Sequence, residues 1–253
     1  MPDFYYMDLY FDPDVMPLVD VVDSCVNAII QSGCDFRKII IPADPSSQTT
    51  KNGRFGSVGL EHLRSTCQIC QDEMLNAGAT LFSYPPRWGR IVFDHDFLID
   101  RDLADEVYDE EDETGAKSSE LGLAFQFFNH EGMGRKIKMT MNFWEDFILK
   151  RGDPETHQKN INFIVHMLET INYAVGPYFG AMNTELKINT DLSLDLLMKG
   201  SMPEGNDFVF VGEGMANRIN VDNLDRLGIV YREFSDGSLL IQFTNHFGSV
   251  RAF

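Results

Sequence analysis

Between Glu61 and Leu75 the chain places His62, Cys67 and Cys70 within nine positions. Histidine and cysteine this close could hold a metal or run a thiol redox step. The spacing argues otherwise. Leu60, Leu63, Cys67, Cys70 and Met74 step by three, four, three and four, which is one apolar stripe of a helix. The two cysteines stand where leucine would serve, and a buried free cysteine acts as a small hydrophobe. His62 falls about 140° from Cys67 around such a helix, so the two do not share a metal. Structural zinc wants about four tetrahedral ligands. The other histidines (His95, His130, His157, His166 and His246) form no H-E-x-x-H, and there is no second C-x-x-C. A redox dithiol needs a helix N-terminus to favour thiolate, and Cys67 sits about two turns in. Cys25, on the apolar stripe of an earlier helix, reads the same way. Cys34, just after Gly33, is expected to be more exposed.

Asp94, His95 and Asp96 stand in a row. On a strand the two aspartates share a face and could bind a hard cation as a pair, with His95 on the other face. They equally suit the polar side of an edge strand. GRFGSVG (53–59) could cradle phosphate before a helix N-terminus, yet neither the P-loop nor the dinucleotide-binding pattern is present. No G-x-S-x-G nominates a serine nucleophile. Arg87, Trp88 and Arg90, in YPPRWGR (84–90), have the composition of a binding hot spot.

The elements that must position these residues are legible from periodicity. FYYMDLYF (4–11) reads as a strand. Asp12 and Asp14 then offer N-caps, with Pro13 in the first turn of a helix whose apolar face is Val15, Leu18, Val19, Val22, Cys25, Val26, Ile29 and Ile30. Gly33 ends it, and RKIIIPA (37–43) is the next strand. A polar, glycine-rich loop is expected over 44–59, then a helix from about Leu60 to Ala77. Strands follow at 80–86 and 90–99. The segments 121–129 and 136–143 form a hairpin turned by HEGMG. A third strong helix opens at Asp153, Pro154 and Glu155, with Ile161, Ile164, Val165, Leu168, Ile171 and Val175 on its stripe, and Gly176–Pro177 stops it. Strands are expected at 179–188 and 207–212, and a short helix or turn at 221–228. Ser235, Asp236 and Gly237 turn a closing hairpin over 229–245.

The expected class is α+β, with mixed or antiparallel sheets and three principal amphipathic helices. A loose echo between 78–91 and 176–182 would make the two α+β halves similar. The expected layout is an N-terminal half (1–101), an acidic loop or insert (102–118) and a C-terminal half (119–253), which could pack as one domain. Eight of the twelve positions 102–113 are Asp or Glu, including Asp109, Glu110, Glu111 and Asp112. Crowded like charges with no apolar period make a solvated segment or a contact surface for a basic partner.

The 253 residues carry 39 Asp+Glu against 21 Lys+Arg, for a net charge of −18. Such a field disfavours nucleic acid and anionic membranes and favours a basic protein surface. Four cysteines do not make a disulfide scaffold at this length. No window approaches about 18 uninterrupted apolar residues, so no membrane helix is expected. No secretory leader is visible, so a cytoplasmic location is expected.

YFGAMNTE (178–185), FVFVG (208–212), a short helical segment and IVYREFSDGSLLIQF (229–243) together resemble immunity proteins, the antidotes of bacterial contact-delivered toxins. The likeness covers the C-terminal third. It implies a non-enzymatic α+β protein that binds a toxin. Separately, no cofactor is expected. Three readings stand: an acidic protein that neutralises or scaffolds a basic partner, a metal-dependent enzyme working through Asp94, His95 and Asp96, and a structural assembly subunit.

Overall fold

A computed structural model describes residues 4–42, 55–68, 80–81, 90–94, 121–130, 134–144, 154–184, 196–197, 199, 201, 206–243 and 250. Two compact units emerge. One comprises Met1–Phe11 with Phe143–Phe253, the other Asp12–Asn142. The acidic stretch 102–118 lies outside the described residues.

The Asp12–Asn142 unit opens with a turn. Asp12 accepts the backbone N–H groups of Val15 and Met16 on its carbonyl and that of Asp14 on its side chain, so residues 12–16 are not yet helical. Helix α1 runs Leu18–Gln31, with Pro17 rather than Asp12 or Asp14 as its N-cap. Proline lacks the N–H that a first turn leaves unpaired, so it suits this place. The expected stripe shifts accordingly. Leu18, Val21, Val22, Cys25, Val26, Ala28 and Ile29 are buried, whereas Val15 is 80% exposed.

Strands β2 (Asp35–Pro42), β3 (Phe55–Val58), β4 (Thr80–Leu81), β5 (Arg90–Asp94), β6 (Leu121–His130) and β7 (Gly134–Trp144) follow. Their order is β7-β6-β5-β2-β3, with β4 also on β6. The hairpin expected at 121–143 is present. Register pairs Leu123 with Met141 and Phe125 with Met139, and all four are buried. Ile39, Ile91 and Phe93 continue that apolar face, by the alternation of the pleat. Strand β3 is a correction to the expected loop, since Phe55–Val58 pairs with Ile39–Pro42. After a one-turn 3-10 helix (Leu60–His62), residues 63–68 are helical.

The other unit takes β1 (Phe4–Phe11), then helix α2 (Pro154–Val175), β8 (Phe179–Thr184), β9 (Phe208–Val211), the short helices α3 (Glu213–Ala216) and α4 (Val221–Leu227), and the hairpin β10 (Val230–Glu233) and β11 (Leu239–Gln242). The order is β10-β11-β9-β8-β1. Ile161, Ile164, Val165 and Leu168 of α2 meet Met7, Phe208 and Leu240 around an apolar cavity of about 10 Å³, which places α2 on that face of the sheet. Helix α4 packs against β10. Gly176 stops α2 in the left-handed region (φ 67°), where a side chain would be strained.

Among the described residues, the pairings inside each unit are antiparallel. Five helices are described where three principal ones were expected, and no clear duplication is present. In one unit the strand after the long helix pairs with β1 and β9. In the other it pairs with β3 and β5, and the later strand orders also differ.

Candidate functional site

Asp94 closes β5 and is ion-paired with Arg37 of β2, both side chains about half exposed. Its carboxylate is thereby engaged at the sheet surface. His95 and Asp96 lie outside the described residues, as do Arg87, Trp88, Asp109, Glu110, Glu111 and Asp112. Arg90 opens β5 in register with Ile40. Among the described residues no three of His, Cys, Asp or Glu gather as a metal would require. The glycine-rich stretch 53–59 holds strand β3, so Phe55–Val58 spends backbone groups on β2 rather than on an anion.

Cys67 is fully buried, as its place on the stripe requires, while Cys70 lies outside the described residues. Leu60, from the same stripe, is 37% exposed because the 3-10 turn rotates it away. Cys34 is buried as well, against expectation: its N–H caps the carbonyl of Ile29 and folds it under the end of α1. Burial pushes the Cys25 thiol up, which removes nucleophilic thiolate. In the native protein Cys25, Cys34 and Cys67 should therefore resist a thiol-specific disulfide reagent. Peptide mapping after a brief pulse should find them unmodified, and all three labelled after denaturation. Fast native labelling of Cys67 would contradict the core reading.

Side-chain networks tie distant segments together inside each unit. Lys136, only 6% exposed, donates to Asp12 at 2.8 Å. That bond is the main reason the Asp12 carboxyl sits below the usual carboxylate range, against the opposing effect of burial. Arg64 forks onto Asp23 (2.7 Å) and Asp20 (2.6 Å), fastening the helical residues 63–68 to α1. Asn183 donates to Asn206 at 2.5 Å, beside the buried Asp207.

The most elaborate network gathers where the β10–β11 turn meets α2. Ser235, Asp236 and Gly237 form a three-residue hairpin loop. Phe234 N–H donates to the Ser238 carbonyl (2.8 Å), and Gly237, at φ 86°, donates to the Phe234 carbonyl (2.9 Å). Only a residue tolerant of the left-handed region closes a hairpin this way. Asp236 then accepts three bonds: from Asn172 of α2 (2.6 Å), from Ser238 Oγ (2.6 Å) and from Ser238 N–H (3.0 Å). Partial burial pulls the Asp236 carboxyl upward, but the bonds from Ser238 and Asn172 together outweigh it and leave the group acidified. Next to Asn172 on α2, Tyr173 bonds Ser235, and one turn earlier Glu169 faces Arg232 at 3.6 Å. Arg232 also lies over the Phe234 ring, 5.5 Å from its centroid.

Ser238 is fully buried, and its hydroxyl is engaged by Asp236 and Asn172. What the network does is tie the β10–β11 turn to α2. Around β10 stand Tyr173, 58% exposed, and Leu227, 60% exposed, with Glu233, Asp222 and Asp225 also exposed. Exposed aromatic and aliphatic anchors rimmed by charge are the composition of a binding surface. Sequence reading passed over it. Tyr173 looked like one more residue of a helix, and Arg232 like one more strand position. The available signal was an aromatic at the polar side of α2, four residues after Glu169.

No protein-family model matches the chain, and no curated protein matches it. Among solved structures it is similar to the Pseudomonas aeruginosa T6SS protein PA0821, at 10% identity and a TM-score of 0.40, over 95% of this chain and 65% of that one.

Proposed function

We propose that the chain is an acidic binding protein that neutralises or scaffolds a basic protein partner. The observation that carries this reading is the excess of 18 acidic over basic side chains. At such charge density, encounter with a basic surface is accelerated and encounter with polyanions is opposed. The acidic positions Asp109, Glu110, Glu111 and Asp112 would add to that steering, and Arg87, Trp88 and Arg90 would anchor the bound state. A toxin as the partner, and a cytoplasmic setting, follow from the immunity-protein likeness of 178–243 and belong to the same proposal. No described helix is long and apolar enough to cross a membrane.

The test is kinetic. The tagged chain is used to capture its partner from the native cell, and the purified pair is measured at low and high salt. Raising salt from about 0.05 to 0.5 M should slow association at least about tenfold and change dissociation by less than about threefold. An acidic partner, or an association rate indifferent to salt, would sink the proposal.

A further inference from the structure

We infer that Asp236–Gly237 is a modification site, open to isoaspartate formation only when the β10–β11 turn leaves α2. It is the one Asp–Gly pair in the sequence. Glycine after aspartate favours ring closure to a succinimide, because no side chain shields the glycine nitrogen. The step is a condensation and needs no oxidant or co-reactant. The Gly237 nitrogen attacks Cγ of the protonated Asp236 carboxyl and a C–N bond forms. The proton of that nitrogen leaves with the carboxyl hydroxyl as water. A second water then opens the ring at either carbonyl. One opening restores aspartate. The other routes the main chain through the former side chain, one methylene longer, and leaves the carboxylate directly on Cα.

The docked turn withholds both reactants. Gly237 N–H donates to the Phe234 carbonyl at 2.9 Å. One oxygen of the Asp236 carboxylate accepts from Ser238 N–H (3.0 Å) and Ser238 Oγ (2.6 Å), and the other accepts from Asn172 of α2 (2.6 Å). Ring closure brings Cγ onto the nitrogen of the next residue, so these bonds must break first. The same donors favour the ionised carboxyl, which is a poorer electrophile than the acid. Asn172 and Ser238 are buried, and Tyr173 adds a second tie from α2 through Ser235, beside Asp236. The reaction therefore proceeds through local opening, as amide exchange does, at a rate set by how often the turn undocks. Conversion also moves the carboxylate that Asn172 and Ser238 bind, so a turn that has reacted cannot dock as before. Undocking thus leaves a permanent mark on the chain.

The experiment incubates the full chain for several weeks in warm, mildly acidic buffer, native and in guanidinium. Peptide mapping separates the two isomers of equal mass, and fragmentation locates the displaced methylene at position 236. Native wild type should form isoaspartate at least about tenfold more slowly than the denatured chain. Asn172→Ala removes the α2 donor, and the folded variant should convert at least about threefold faster than native wild type. Circular dichroism checks that it is folded. Should it fold poorly, Tyr173→Phe decides instead, since it removes only the bond to Ser235 from an exposed ring; its conversion should also be faster than wild type. Equal rates in native and denatured wild type overturn the inference. So does a deciding variant that is folded and converts no faster than wild type, and so does a denatured chain in which position 236 does not convert. None of these outcomes bears on the basic-partner reading.

Discussion

Gly212→Ala is expected to destabilise the protein by about 3 kcal/mol, read as a lower urea midpoint at unchanged slope. Gly212 follows β9, and its N–H donates to the Tyr178 carbonyl at 3.0 Å. A Cβ there would drive into the Pro177 carbonyl oxygen and stand 2.9 Å from Tyr178 Cα. These are backbone atoms at the end of α2 and the start of β8, so nothing flexible can yield. Relief requires β9 to separate from the strand beside it, at the cost of the Gly212–Tyr178 bond and the packing of Val211. Two residues on, Gly214 provides the internal control. It lies exposed in α3 and a Cβ there meets nothing within 4 Å. Gly214→Ala should stabilise by up to about 1 kcal/mol, because alanine loses less backbone freedom on entering a helix. Opposite signs from two glycine-to-alanine changes in one segment would separate close backbone approach from helix propensity. Equal, small effects would show that the strand can shift to admit a methyl group.

The contrast between these glycines shows where sequence stops being informative. Residues 4–11 read as a strand and are β1. The Ser235-Asp236-Gly237 turn was visible because its chemistry is local: a left-handed glycine after an aspartate. The start of α1 went wrong for a local reason too. Asp12-Pro13-Asp14 matches a helix entry, but Lys136 and the N–H groups of Asp14, Val15 and Met16 claim Asp12 first. The Lys136 part of that competition comes from 124 residues away, beyond any local window. Strand β3 was hidden because four residues with one glycine carry no period of their own; its partner β2 makes it a strand. The exposed residues gathered around β10 were the least legible. Tyr173, Leu227 and Glu233 come from α2, α4 and β10 and acquire meaning only when the hairpin docks on the helix.

Asp236→Ala is expected to destabilise the protein by about 3 kcal/mol, and the loss should depend on pH. The substitution removes one carboxylate that accepts from Asn172 and twice from Ser238. Asn172 is 5% exposed and Ser238 is fully buried, so water cannot fully replace those bonds. Of the side-chain bonds in this network, the 3.0 Å one between Asn172 and Ser238 would remain. Because the folded Asp236 carboxyl titrates below its unfolded value, its ionised form stabilises the fold. That contribution is fully present above the unfolded carboxylate range, about pH 4 to 5, and fades as pH falls through the lower folded value. Asp12, acidified mainly by Lys136, behaves with the same sign. Wild type should therefore lose stability on acidification below about pH 4, and Asp236→Ala should lose less over the same interval. The gap between the two proteins should narrow toward low pH. Asp236→Asn serves as the check on geometry, since it keeps one acceptor oxygen without the charge; its stability should lie between the other two at neutral pH. A gap that stayed constant from neutral to acid would mean that the turn is held by shape alone. The docking of the turn on α2 would then owe nothing to the Asp236 charge.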